Sequence, residues 1–241
     1  MGKPTTITKA VVDADIVAYR AAAGTDGQTE ADTRDKVDAL MEYIVGETIV
    51  FPTASNLECY LTGSGNFRYE IAKTAPYKGN RSGEKPKNLP AARAHLVNKW
   101  GAVVSEGEEA DDLIGIAATN NDPETTVVAT IDKDMLQLAC WHFNFVKNSW
   151  VKVGEEEGNK FFYTQVLTGD SADNIVGLYR VGPKTAEKML DGLTTEQELY
   201  KACVEAYDGD AERVLENARL LWLRRYEGEI WSPPEINSGQ V

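Results

Sequence analysis

Four short apolar runs in this chain each lead into a cluster of acids, and that recurrence restricts its fold more than any other feature. Ala10-Val11-Val12 runs into Asp13 and Asp15, Val127-Val128-Ala129-Thr130-Ile131 into Asp132 and Asp134, and Val166-Leu167-Thr168-Gly169 into Asp170 and Asp173. Ala102-Val103-Val104-Ser105 leads to Glu108-Glu109-Ala110-Asp111-Asp112, which opens the apolar stretch Leu113 to Ala118. Short runs of this kind alternate with helical patterns through the first two thirds of the chain. That order predicts an α/β fold with a mostly parallel sheet flanked by helices. In such a sheet the carboxyl ends of the strands share one edge, where ligands bind, so acids ending successive strands meet there. A single acid after a strand is ordinarily a turn residue or a helix cap. Several converging ones repel: at an effective dielectric near 20, two unit charges about 4 Å apart oppose each other by roughly 4 kcal/mol. The recurrence therefore points to a shared cation site.

The residue types choose the cation. Only His95 and His142 are present, and Cys59, Cys140 and Cys203 are widely spaced without a CxxC pair. A histidine-rich zinc site is not expected from that supply, whereas carboxylate oxygens suit a hard cation, magnesium or manganese. The three cysteines read as reduced, packing residues. No apolar run reaches membrane-spanning length and the first residues lack the apolar core of a signal peptide. The expectation is a cytoplasmic protein with no membrane partner.

A net charge of −13 argues against a polyanionic partner until its distribution is considered. Between Asn66 and Trp100 stand Arg68, Lys73, Lys78, Arg81, Lys85, Lys87, Arg93 and Lys99, opposed only by Glu70 and Glu84. Overlapping that stretch, Gly63 to Pro90 is long, polar and rich in Gly, Pro, Lys and Arg, which in a compact domain marks a functional or mobile segment. Tyr77-Lys78-Gly79-Asn80-Arg81 puts an aromatic ring beside two cations, the combination that stacks a base and holds its phosphates. Further on, Gly177 to Ala186 reads as a tight turn into a helix with Pro183 near its first position, an arrangement that binds a phosphate without reading bases. Other expected elements are a helix that Asp32 can cap, a strand over 57–61 and another near 143–146. Two more helices fall around Leu199 to Ala206 and from Ala211 to Arg225, with a tail from Tyr226 onward.

Taken in order, these parts resemble the flap endonuclease and 5′-3′ exonuclease family. The resemblance is carried by Asp13 after the first strand, Phe67-Arg68, Tyr77-Lys78-Gly79-Asn80-Arg81, Glu109-Ala110-Asp111-Asp112, Asp132-Lys133-Asp134, and Gly169-Asp170-Ser171-Ala172-Asp173-Asn174 before a glycine turn. It is closest to the small bacteriophage-type enzymes and to the 5′ nuclease domains of bacterial DNA polymerases. It implies a PIN-like α/β nuclease core over 1–168 that includes a mobile basic arch at about 66–100, a helical module over 169–225 containing a helix-three-turn-helix, and a tail over 226–241. By similarity, Asp13, Glu109, Asp111, Asp112, Asp132, Asp134, Asp170 and Asp173 would hold two Mg2+ or Mn2+ ions, with Asp13, Asp111 and Asp132 nearest the chemistry. Lys78 and Arg81 would contact the scissile phosphate, Arg68 would support phosphate binding and Tyr77 would stack on a base. Gly177, Arg180, Gly182, Lys184 and Thr185 would hold the duplex backbone, in this family often around a potassium ion.

The implied protein is a monomer in a bacterial or phage-infected cell. It hydrolyses DNA phosphodiester bonds at 5′ ends, flaps, nicks or junctions, with RNA primer strands as further partners. Two positions depart from the family pattern. Thr62-Gly63-Ser64-Gly65-Asn66 stands where the family has an Asp shortly before Phe-Arg, with Asp15 a partial replacement, and Arg180 stands where a second glycine is usual. Two rivals follow. One is a structure-selective DNA-binding protein that has lost catalysis. The other is a phosphatase of the haloacid dehalogenase type with Asp13 as nucleophile, which leaves the basic segment and the glycine turn without a role.

Overall fold

A computed structural model describes residues 2–4, 6–49, 53 and 55–235. In chain order the elements are β1 (Lys9–Asp13), α1 (Ala14–Gly24), α2 (Glu30–Thr48), β2 (Leu57–Ser64), α3 (Arg68–Ile71) and α4 (Leu89–Trp100). Then come β3 (Val103–Glu106), α5 (Ala110–Thr119), β4 (Thr126–Ala129), a 3₁₀ turn over Lys133–Gln137, β5 (Trp141–Asn144) and β6 (Ser149–Lys152). The chain continues with α6 (Glu155–Thr168), β7 (Gly169–Asp170), β8 (Ile175–Val176), α7 (Pro183–Met189), α8 (Glu196–Ala206) and α9 (Ala211–Leu221).

These elements form two compact units. One comprises Met1–Asn66, Gly83–Val153 and Leu223–Glu227, the other Phe67–Ser82, Gly154–Trp222 and Gly228–Val241, each taken over its described residues. The first unit holds a sheet of order β3-β2-β1-β4-β5-β6, in which β1 to β5 run parallel and β6 turns back antiparallel on β5. The expected mostly parallel α/β sheet is the one observed. β1 is buried along its whole length because both faces of the sheet are covered. Ala10 and Val12 enter a core with Val17, Met41, Ile44 and Leu96, while Val11 enters a second core with Ile114, Val128 and Met135. Strand order reverses direction of growth at β1, so a crevice opens at the carboxyl ends of β1 and β4. Three of the four acidic clusters lie at that edge.

The fourth does not follow a strand of this sheet. Val166 to Thr168 is the last turn of α6, not a strand, and Asp170 sits on the two-stranded antiparallel pair β7–β8 of the second unit. The reason is legible in α6 itself: Glu155, Glu156 and Glu157 open the helix, and Phe162, Tyr163, Val166 and Leu167 recur at helical spacing and are buried. The strand expected near 143–146 begins earlier, at Trp141. The cap of α2 is Thr29, and Asp32 three residues on accepts from the Thr29 N–H (2.9 Å).

The second unit packs α6 to α9 around Phe162, Tyr163, Val166, Leu199, Cys203, Val214 and Leu221. The stretch expected as a tail contributes to this core: Trp231 is 6% exposed and its ring meets those of Phe162, Tyr163 and Tyr200. Residues 236–241 of that stretch lie outside the described ones. The basic segment is not one piece either. Residues 67–82 group with the second unit, whereas α4 packs on α1 and α2 in the first through Ala92 and Leu96. Among the described residues no helix is long and apolar enough to cross a membrane.

Candidate active site

In the first unit the acids are organised around Asp13. It ends β1 and caps α1, its Oδ1 accepting from the Ile16 N–H (3.2 Å). Its Oδ2 accepts from the Thr130 hydroxyl (2.8 Å), and Thr130 Oγ1 in turn accepts from the Asp132 N–H (3.0 Å). Thr130 thus ties the end of β1 to the turn after β4. Asp132 caps the 3₁₀ turn, its Oδ1 accepting from the Asp134 N–H (2.9 Å).

The Asp13 carboxyl is 3% exposed, and burial pushes its pKa up to about 7. Hydrogen bonds from Thr130 and Ile16 act in the other direction, while Asp15 and Asp132 add like charge. Unfolded, this group releases its proton near 3.8; folded, it keeps it to about 7. Between those values the folded chain binds more protons at this group, so its contribution to metal-free stability is fully present below about 3.8 and is lost as pH rises through about 7. Denaturant midpoints measured in EDTA are expected to fall between about pH 5.5 and about pH 8, and Asp13→Asn is expected to flatten that slope. An unchanged slope in the variant assigns the pH dependence elsewhere.

The acidic knot at the start of α5 divides its labour. Asp112 is fully buried, its Oδ2 accepting from the Glu109 N–H (3.2 Å) and its Oδ1 from the Arg224 N–H (3.3 Å). Glu108 pairs with the Arg224 guanidinium at 2.7 Å. Glu109 is the N-cap residue and is 7% exposed, whereas Asp111 is half-buried. The helix-capping reading of these acids therefore holds for Asp112 and Glu109 alongside any other role. Among the described residues no three Asp, Glu, His or Cys side chains form a ready-made cage for a metal ion. The donors nevertheless suit one: they are oxygens, and the buried Asp13 carboxyl beside Asp15 and Asp132 carries an electrostatic penalty that a hard cation relieves.

The second unit holds the other half of the expected set. Residues 76–81 and 171–174 are laced together: the Lys78 N–H donates to the Asp173 carbonyl (2.8 Å), Asn174 Nδ2 to the Pro76 carbonyl (2.8 Å) and Asn80 Nδ2 to the Ser171 carbonyl (2.7 Å). Arg81 bonds the Asp173 carboxylate at 2.6 Å, Lys78 Nζ stands 3.7 Å from it, and the Tyr77 hydroxyl donates to it (2.9 Å). Lys78 and Asn174 both take left-handed backbone, φ 54° and 59°. For a lysine that conformation costs about 1–2 kcal/mol and persists only where the surroundings impose it. Asp170 Oδ1 accepts from the Ala172 N–H (2.7 Å).

Two residues expected at the DNA lie inward. Tyr77 is 4% exposed, its ring at 74° to that of Tyr69 with centroids 5.6 Å apart, so it is packed inward, whereas Tyr69 is 60% exposed. Arg68 is 2% exposed and donates to the carbonyls of Leu220 (2.9 Å) and Trp222 (2.7 Å), closing the end of α9 rather than facing a phosphate. Gly177 is needed for packing: a Cβ there would stand 2.1 Å from the Thr168 carbonyl carbon. Arg180 takes φ 60°, the backbone that the family's glycine would adopt without strain, and its guanidinium lies 5.0 Å from the exposed Tyr179 ring. Gly182 precedes α7, in which Pro183, Lys184 and Thr185 form the first turn. Thr130, Asn80 and Asn174 were given no role from sequence, although Thr130 stands in the apolar run before Asp132 and the two asparagines stand in the motifs that carry the resemblance.

A mostly parallel sheet with helices on both faces and acids at the carboxyl ends of its strands defines an α/β fold of the resolvase-like class. The chain belongs to the 5′-3′ exonuclease family: residues 8–165 match the model of the 5′-3′ exonuclease N-terminal resolvase-like domain. It is 31% identical to DNA polymerase I of Deinococcus radiodurans over 158 residues, 56% of this chain and 16% of that protein. With the flap endonuclease Xni of Shewanella woodyi it shares 29% over 163 residues, 60% of this chain and 64% of that one. The chain thus spans less than two thirds of the length of these relatives. The fold is that of the phage T5 D15 protein, co-crystallised with metal ions, at a TM-score of 0.68 and 15% identity over 88% of each chain.

Proposed function

We propose that this chain is a structure-specific 5′ nuclease that hydrolyses DNA phosphodiester bonds at 5′ ends, flaps, nicks or junctions with the help of two divalent ions. The observation that carries the reading is the Asp13–Thr130–Asp132 couple at the carboxyl edge of a 5′-3′ exonuclease-family sheet, where burial and neighbouring acids disfavour the Asp13 carboxylate unless a cation offsets them. Asp13, Asp111, Asp132 and Asp134 from the first unit are the proposed holders of Mg2+ or Mn2+ together with Glu109 and Asp112. Asp170 and Asp173 are proposed as further metal ligands. When bound, such ions activate a water and offset charge on the phosphate and the leaving oxygen. The residues of the chain do the rest. Thr130 fixes the Asp13 carboxylate, Asp112 and Arg224 fix the start of α5, and the laced turn presents Lys78 and Arg81 as a pair of cations to a phosphate.

Residues 169–225, with Gly177, Arg180, Gly182, Lys184 and Thr185, form the proposed helix-three-turn-helix grip on the duplex backbone, and a potassium ion is proposed there. RNA primer strands are proposed as alternative substrates and a monomer as the working form. A second reading, DNA binding without cleavage, is favoured by one observation: β2 ends in Thr62-Gly63-Ser64 without a carboxylate. A 5′-flap duplex labelled at each end of the flapped strand separates the two, incubated with Mg2+, Mn2+ or EDTA beside Asp134→Ala. Metal-dependent cleavage lost in the variant supports the nuclease, and tight binding with no cleavage under either metal supports the second reading.

A further inference from the structure

We propose that Arg93 is a positioning residue, a built-in counter-cation that neutralises Asp15 and keeps it out of metal coordination at the acidic edge. The inference rests on the nuclease reading for its purpose, but its geometry stands alone. Arg93, on α4, donates through Nη1 to Asp15 Oδ1 and through Nη2 to the Thr62 carbonyl. Asp15 Oδ2 accepts from the Thr62 N–H (2.8 Å), and Thr62 Oγ1 accepts from the N–H of Ala110, the first residue of α5 (3.0 Å). One arginine therefore closes a ring that joins α1, the end of β2, α4 and the start of the acidic helix.

The ring occupies the place where β2 brings no carboxylate of its own, and Asp15 lies there instead, close enough to Asp13 to add to its charge. Both its oxygens are already taken, one by a guanidinium and one by a backbone N–H. A planar guanidinium bonded on two sides holds its charge in one position, unlike the flexible ammonium of lysine. The Asp15 and Arg93 side chains are 30% and 28% exposed, so solvent screens the pair only in part. A divalent ion arriving at Asp13 then meets a fixed positive charge nearby and one carboxylate fewer than the acids of this edge would otherwise provide.

The test measures Mn2+ binding directly, by electron paramagnetic resonance of the free ion, on the full chain and on Arg93→Gln, Arg93→Lys, Asp15→Asn and the double variant Asp15→Asn/Arg93→Gln, with unfolding midpoints recorded for each. Removing the cation frees Asp15, so Arg93→Gln is expected to bind Mn2+ on the order of tenfold more tightly, the scale on which one nearby charge acts. Arg93→Lys is expected to stay nearer the parent. Asp15→Asn leaves the proposed ligands intact but unmasks the Arg93 charge, so it is expected to weaken Mn2+ binding on the order of tenfold, and the double variant, which removes both charges, is expected to bind within about twofold of the parent. Arg93→Gln that is folded and binds like the parent overturns the proposal, as does a tenfold fall in the double variant, which would make Asp15 a ligand. Should Arg93→Gln alone not fold, the double variant, in which neither charge is left unpaired, decides. A parent that binds Mn2+ and responds to Arg93 as stated, yet cuts no flapped DNA, defeats the nuclease reading and leaves the counter-cation in place.

Discussion

Replacing Arg68 with alanine is expected to lower stability by about 3–5 kcal/mol, as for other buried charged groups whose partners are left behind. The side chain is 2% exposed and serves two carbonyls at the carboxyl end of α9, Leu220 and Trp222, while its guanidinium lies 4.6 Å from the Phe67 ring. A cation at that end also opposes the negative pole of the helix. Truncation leaves a cavity and two buried acceptors without these donors. At roughly 2–4 °C per kcal/mol for a chain of this size, the unfolding midpoint is expected to fall by about 10 °C. At temperatures where the variant remains folded, its affinity for duplex DNA is expected to match the parent. A variant with an unchanged midpoint and weakened DNA binding would return Arg68 to the phosphate role that the family resemblance implied.

Lys78→Ala is expected to behave in the opposite way, slowing cleavage by about 10²–10³-fold, the usual effect of removing one preorganised charge donor to a transition state. Duplex affinity is expected to change little, because other cations and the duplex grip hold the backbone. The expectation rests on preorganisation: Lys78 is held in left-handed backbone, with its N–H on the Asp173 carbonyl and its Nζ 3.7 Å from the Asp173 carboxylate. Alanine at φ 54° carries strain of its own, so Lys78→Gly belongs beside it as the unstrained truncation. Both variants are to be compared by single-turnover cleavage and by binding to an uncleavable duplex. Equal losses of binding with unchanged turnover would sink the assignment.

Much of the site was legible before any coordinates. Asp13, Asp132 and the knot from Glu108 to Asp112 stand after short apolar runs, and the parallel sheet brings them to one edge because strands joined through helices on both faces all point the same way. Asp170 and Asp173 looked like a further instance of the same pattern and were not. Periodicity over four residues cannot separate the last turn of a buried helix from a buried strand. Only the length of α6, fourteen residues, with its acidic first turn, settles the matter. Tyr77 and Arg68 stand where the sequence did not place them, for a related reason. An aromatic or a cation in a polar, basic stretch reads as surface, yet both fold inward, one onto Tyr69 and Asp173, the other onto the end of α9.

The sequence by itself determined the class of fold, the choice of oxygen donors over histidine and cysteine, and the order of parts that marks the family, since each depends on residue type and short-range spacing. The tertiary structure alone decided which charges meet. Arg93 stands 78 residues from Asp15, and Lys78 and Arg81 lie more than 90 from Asp173. Pairings over such distances depend on how helices and strands are packed, and Coulomb forces act on the positions that packing fixes, not on separation along the chain.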